Sequence, residues 1–159
     1  MEVYLVRHGE AAAQTGDPRR PLTPAGRRDV ERVAHAAATR GVSVGEIVHS
    51  GILRAHQTAE IFSRVLNFSA VLKEVAGLKP DDDPFLAKAE LDTAATPIMM
   101  VGHLPHLGRL AALLAGADPD APLVEFTPAT LVCFSHHEQR WKIVWKITPA
   151  PAQSGVDRQ

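Results

Sequence analysis

Short, nearly continuous apolar runs alternate along this chain with longer segments whose apolar residues recur every three or four positions, and this alternation constrains the fold most. Glu2–Val6 is β-rich and almost wholly apolar, the pattern of a strand buried on both faces. Glu46–His49, Ala70–Lys73 and Pro97–Val101 read the same way. Between them lie helical patterns. Thr23 is a candidate N-cap, Pro24 takes the first helical position and Gly41 stops the run, with Val30, Val33, Ala34 and Ala37 forming one apolar face. A second helix runs from Leu53 to Leu66 on a stripe of Ala55, Ala59, Phe62 and Leu66. Phe85–Leu91 reads as a third, and Leu107, Leu110, Ala111 and Leu114 mark a fourth, stopped by Gly116. Gly77–Pro84 is a loop by composition. Thr130–Ser135 and Trp141–Thr148 flank a polar turn and read as a β-hairpin at the sheet edge, with Trp141 and Trp145 in the core.

Strand–helix units joined by short links imply an α/β fold with a mainly parallel sheet covered on both faces. In such sheets ligands bind beyond the carboxyl ends of the strands. The 159 residues suit a single domain, expected over 1–149, with the small, Pro-containing segment 150–159 as a fraying tail. A net charge of −1 offers no bulk positive field to attract nucleic acid or an anionic membrane. Any anion site must therefore be local. The single cysteine, Cys133, excludes an internal disulfide and a Cys-rich zinc site, and its apolar neighbours mark it as a buried thiol. No apolar stretch approaches the ~20 residues of a membrane span, and the N-terminus does not read as a signal peptide, so a cytoplasmic protein is expected.

Three unusual segments follow three of the expected strands: Arg7-His8-Gly9-Glu10, Ser50-Gly51-Ile52-Leu53-Arg54-Ala55 and Gly102-His103-Leu104-Pro105. Parallel strands would bring them to one end of the sheet and gather Arg7, His8, Arg54 and His103. None is a natural core residue, because burying an unpaired charge is expensive. Two guanidiniums can fork onto a tetrahedral oxyanion. A neutral imidazole can attack phosphorus, and a second, protonated imidazole can hold an oxygen as charge develops. Gly9 would let substrate and backbone approach closely after the nucleophile. The other nitrogen of the nucleophilic ring should donate to a backbone carbonyl or a carboxylate, with Gly9 C=O or a nearby backbone carbonyl the expected partner. Glu10 is read either as a partner to an arginine or to the phosphate-site backbone, or as simply exposed. His106 reads as peripheral, and His35, His49, His56, His136 and His137 as incidental.

Val6-Arg7-His8-Gly9-Glu10 resembles the signature of the histidine phosphatase superfamily, the phosphoglycerate-mutase-like group. Ser50–Ala59 resembles its second motif, with Arg54 at the motif's arginine, and Val101-Gly102-His103 resembles its third. The short length, Leu22-Thr23-Pro24-Ala25-Gly26, Leu78-Lys79-Pro80-Asp81 and Gly102-His103-Leu104-Pro105 are most similar to the small bacterial phosphohistidine phosphatases of the SixA type. The resemblance implies a three-layer α/β/α sandwich. It also implies a phosphoryl acceptor at His8, with Arg7, Arg54 and His103 completing the phosphate pocket. No cofactor and no metal are implied. The expected partner is a phosphohistidine-bearing protein of a phosphotransfer or phosphorelay system.

Many enzymes of that superfamily carry a carboxylic acid between the second and third motifs, which protonates the leaving oxygen. That segment is short here. An imidazole leaving group, whose conjugate acid has a pKa of ~6.5, can depart near neutral pH without such an acid, unlike an alkoxide. The open site therefore fits a phosphoramidate better than a phosphate ester. Glu74 is the candidate acid if esters are the substrate. Asp81-Asp82-Asp83 lacks the spacing of a calcium loop and reads as a charged loop with Asp81 turning or capping the chain. The rival readings are a small-molecule phosphomonoesterase of the same superfamily and a non-catalytic module that binds phosphorylated proteins.

Overall fold

The computed structural model describes residues 1–67, 69–121 and 123–149. The expected tail, 150–159, lies outside them. The elements run β1 (Glu2–Arg7), α1 (Pro24–Thr39), β2 (Glu46–His49), α2 (Leu53–Val65), β3 (Val71–Glu74), α3 (Pro84–Asp92), β4 (Ile98–Gly102), α4 (His106–Leu114), β5 (Leu131–His137) and β6 (Arg140–Ile147). Every strand and helix read from the sequence is present, with ends shifted by a residue or two.

The six strands form one sheet in the order β3-β2-β4-β1-β5-β6. β3, β2, β4 and β1 are mutually parallel, and β5 and β6 add antiparallel pairs at one edge. Alternation along each strand sends neighbouring side chains to opposite faces. Tyr4, Val6, Ile47, Met99 and Val101 face α1 and α2, while Val3, Leu5, Val48, Met100 and Phe134 face α3 and α4. The result is a three-layer α/β/α sandwich.

Local signals explain the element ends. Thr23 Oγ1 accepts from Gly26 N, Pro24 opens α1, and Gly41 follows it at φ 81°. The acidic loop differs from expectation. Asp83, not Asp81, caps α3 by accepting from Phe85 N, and Asp82 closes the turn by accepting from Lys79 N. The hairpin holds a β-bulge. Phe134 pairs with Ile143 and Cys133 with Trp145, so Val144 is the extra residue. The bulge reverses the facing, which puts Trp141 in the α3/α4 core and lays Trp145 against the α1/α2 core. Arg40 completes that edge with its guanidinium carbon 4.4 Å from the Trp145 ring centroid.

Candidate active site

The parallel register decides what meets beyond the strand ends. Arg7 pairs with Gly102, His49 with Val101 and Glu74 with His49. The residues that follow, His8, His103 and Ser50, therefore emerge side by side, with Glu74 at the end of the edge strand. The His8 and His103 rings lie 5.1 Å apart between centroids, tilted by 52°. Both are buried, at 8% and 1% exposure.

Backbone on both sides fixes His8. Its N–H donates to Gly102 O at 3.1 Å, and its carbonyl accepts from Ala129 N at 3.1 Å. The ring is fixed as well, because His8 Nδ1 lies 2.7 Å from Gly9 O. A carbonyl only accepts, so Nδ1 carries the hydrogen and Nε2 keeps its lone pair. This is the contact the sequence reading expects of Gly9.

Gly9 departs from its other expected use. Its N–H donates to Thr58 Oγ1 at 3.1 Å, and that hydroxyl donates to Arg54 O at 2.8 Å. A Cβ on Gly9 would lie 2.7 Å from Val30 Cγ2. The glycine thus admits α1 against β1, and its backbone is committed to holding His8 and α2 in place. It offers no free donor to substrate. Glu10 is exposed, and its carboxylate accepts from Thr23 Oγ1 at 2.7 Å and braces the start of α1, with no arginine partner among the described residues. The segment folds back because Thr23 N donates to Glu10 O at 3.0 Å.

The arginines enter from two elements. Arg7 ends β1 and donates through Nη1 to Phe126 O at 2.8 Å. Arg54 sits in the first turn of α2, where a cation opposes the helix dipole and has no structural reason to be. Burial lowers both guanidinium pKa values. Among the described residues, the buried atoms Arg7 Nε, Arg54 Nε and His103 Nδ1 have no hydrogen-bond partner. Unpaired guanidinium donors of this kind suit an oxyanion.

Electrostatics set the protonation states. His8 is pushed down to about 4, chiefly by burial, with Arg54, Arg7 and Arg20 adding to the effect against the Gly9 hydrogen bond. His103 is pushed down to about 3 by burial, then by His8, Arg54, His106 and Arg7. His8 is therefore held neutral at ordinary pH, with its Nε2 lone pair available. The second imidazole, expected as a cation, is likewise held neutral.

A comparison with known proteins follows from this geometry. The family model described as histidine phosphatase superfamily (branch 1) matches residues 3–79. Phosphohistidine phosphatase SixA of Escherichia coli (strain K12) is 31% identical over 123 residues, covering 74% of this chain and 76% of that one. The chain belongs to the histidine phosphatase superfamily. An uncharacterized protein of Picosynechococcus is 37% identical over 124 residues, covering 72% of this chain and 73% of that one. The solved structure of the protein histidine phosphatase SixA complexed with tungstate superposes with a TM-score of 0.82 at 28% identity, covering 94% of this chain and 97% of that one.

Within this histidine phosphatase, two functional side chains escape sequence reasoning. Ser50 is buried, and its Oγ lies 2.7 Å from His103 Nε2 while accepting from Ile52 N at 3.2 Å. It orients the second imidazole and closes the turn that leads into α2. Thr58 is the link between Gly9 and α2 described above. Both lie inside the second motif, yet a lone hydroxyl has no spacing signature to announce it. Glu74 lies beside the site: a Cβ on Gly51 would meet its Oε2 at 2.4 Å. With Ser50, Gly77, Lys79, Asp82 and Leu86 it lines a hollow of about 650 Å³. His106 is completely buried at the start of α4, close enough to Asp82 to feel its charge. His49 and His56 stack at 4.6 Å. Among the described residues no group of three or more His, Cys, Asp or Glu side chains is placed to hold a metal, and no helix is long and apolar enough to cross a membrane.

Proposed function

We propose that this chain is a cytoplasmic phosphohistidine phosphatase that takes the phosphoryl group from a histidine of a phosphotransfer protein onto His8 and then releases it to water. The observation that carries the reading is the hydrogen bond from His8 Nδ1 to Gly9 O at 2.7 Å, which presents a neutral Nε2 beside two half-buried arginines whose Nε atoms are unpaired among the described residues. Nε2 attacks phosphorus as the bond from phosphorus to the substrate imidazole breaks. The departing nitrogen takes a proton from water, which its basicity allows near neutral pH. Water then attacks phospho-His8, breaks the new P–N bond and restores Nε2. Arg7, Arg54 and protonated His103 hold the equatorial oxygens throughout, supplying the positive charge without a metal. Purified protein should dephosphorylate a phosphohistidine protein over many turnovers in the presence of EDTA, and an alkaline quench should trap base-stable, acid-labile phosphate on the chain. Unchanged turnover in His8→Ala refutes the mechanism, and stoichiometric binding without turnover favours a phosphoprotein-binding module.

One observation favours ester hydrolysis as a second activity. Glu74 lines the hollow that opens beside Ser50, where a leaving alkoxide would need a proton. Under that reading Glu74→Gln lowers ester hydrolysis and spares phosphoramidate hydrolysis. Ester turnover left intact in the variant removes Glu74 as an acid.

A further inference from the structure

The connection between β1 and α1 is a strap that doubles back across the site. Ala11 bridges Leu22, Ala12 N donates to Pro21 O at 2.8 Å, and Arg20 N donates to Asp17 O at 2.9 Å. Its returning arm is tied down on both sides of the pocket. Leu22 N donates to Gln57 Oε1 at 2.8 Å, one turn along α2 from Arg54. Leu22 Cδ2 lies 3.3 Å from where a Cβ on Gly9 would stand.

Arg20 sits two residues before this anchor. Its backbone is held at φ 53°, in the left-handed region that a non-glycine residue enters at a cost. Its Nε donates to Ala12 O at 2.9 Å, which aims the guanidinium and leaves both Nη groups for another acceptor. The neighbouring Arg19 is paired with Asp17 at 2.8 Å. Among the described residues Arg20 has no carboxylate within ion-pairing distance. Its charge nevertheless reaches both His8 and Arg54. Fixing a third guanidinium beside two others repels, and only an anion among them offsets that repulsion.

We propose that Arg20 is a third anion-binding arginine, held over the pocket by the 11–22 strap, which grips an outer oxygen of the phosphoryl group as it reaches His8. This rests on the phosphatase reading of the site and adds a substrate contact to it. Arg7 and Arg54 enter from the sheet and from α2, and Arg20 approaches from the strap.

Tungstate, a tetrahedral dianion, separates the two ideas. Calorimetric titration at pH 8 should show Arg20→Ala binding it ten- to a hundredfold more weakly, roughly the effect of one charge-assisted contact. Arg20→Lys should fall between the two. Millimolar guanidinium should restore part of the lost affinity to Arg20→Ala, which a merely structural role would not permit. Unchanged tungstate affinity in Arg20→Ala overturns the proposal. So does a loss that guanidinium fails to restore together with shifted Gly9 and Gln57 amide resonances, because the strap itself has then moved. Wild-type protein that binds no tungstate overturns the phosphate pocket and Arg20 together. Wild-type protein that binds tungstate but turns over no phosphohistidine protein overturns the substrate assignment alone, and Arg20 is then judged by the affinities.

Discussion

Oxyanion binding by this pocket should carry a proton with it, and the structure sets the scale of the effect. His103 titrates at about 3 in the empty site, pushed down by burial and by the neighbouring cations. One negative charge placed ~4 Å from an imidazolium contributes ~4 kcal/mol at an effective dielectric constant of ~20. At ~1.4 kcal/mol per pKa unit this lifts His103 by roughly three units, to about 6, and the second charge of a dianion lifts it further. Between that value and about 3 the complex binds a proton that the free protein refuses. Affinity for a dianion must therefore rise as pH falls, by roughly ten- to a hundredfold between pH 8 and pH 5. Sulfate suits the test because it stays a dianion across this range. Titrations in buffers of different ionisation enthalpy would count the proton, and the ring resonances of His103 would locate it. His103→Gln should remove most of the slope. The free protein has the opposite dependence: below pH 6.5 its unfolded chain takes up protons that folded His8 and His103 reject, so stability falls as pH drops toward about 4. Flat sulfate affinity from pH 8 to pH 5, or a His103 that titrates normally without anion, would refute the reasoning.

Three substitutions test the supports of the site. Ser50→Ala leaves His103 Nε2 without its 2.7 Å partner and should lower kcat more than it raises KM, with about 1–3 kcal/mol lost in chemical denaturation. Thr58→Val preserves volume but breaks the link from Gly9 N to Arg54 O, and stopped-flow formation of phospho-His8 should slow roughly tenfold with modest loss of Tm. Gly26→Ala would drive a Cβ to 2.2 Å from Glu10 O, so thermal unfolding should show a loss of about 2 kcal/mol or more as the strap is pushed off α1.

Much of this was legible in the sequence because the signals are local and periodic. Buried parallel strands announce themselves as apolar runs, Thr23 and Pro24 mark a helix start, and the parallel topology then brings Arg7, His8, Arg54 and His103 to one end. What stayed hidden depends on register. Nothing in the spacing of Trp141 and Trp145 reveals that Val144 bulges and turns the two indoles to opposite faces. Nothing in Arg-His-Gly reveals that the glycine backbone is shared between His8 and Thr58. Glu10 follows an apparent phosphate motif, and only the fold-back of the 11–22 strap hands its carboxylate to Thr23. The protonation state of His103 is likewise a property of the assembled pocket.

The depressed histidines also explain why such a site tolerates so many cations. A nucleophilic imidazole must present a lone pair, and an exposed ring with a pKa near 6.5 would spend part of its time protonated whenever the surroundings acidify. Burial at 8% exposure, with Arg7, Arg54 and Arg20 within reach of its charge, holds His8 neutral to about 4. The same arginines that would stabilise a phosphoryl dianion thus keep its acceptor unprotonated beforehand. After the proposed transfer, phosphate on Nε2 replaces the lone pair with negative charge and His103 gains its proton, so the pocket cations hold the phosphoryl oxygens while water attacks phosphorus. Any substitution that neutralises one of these arginines should therefore act twice, weakening anion binding and raising the pKa of His8, so the acid limb of the rate profile should move toward neutrality as binding is lost.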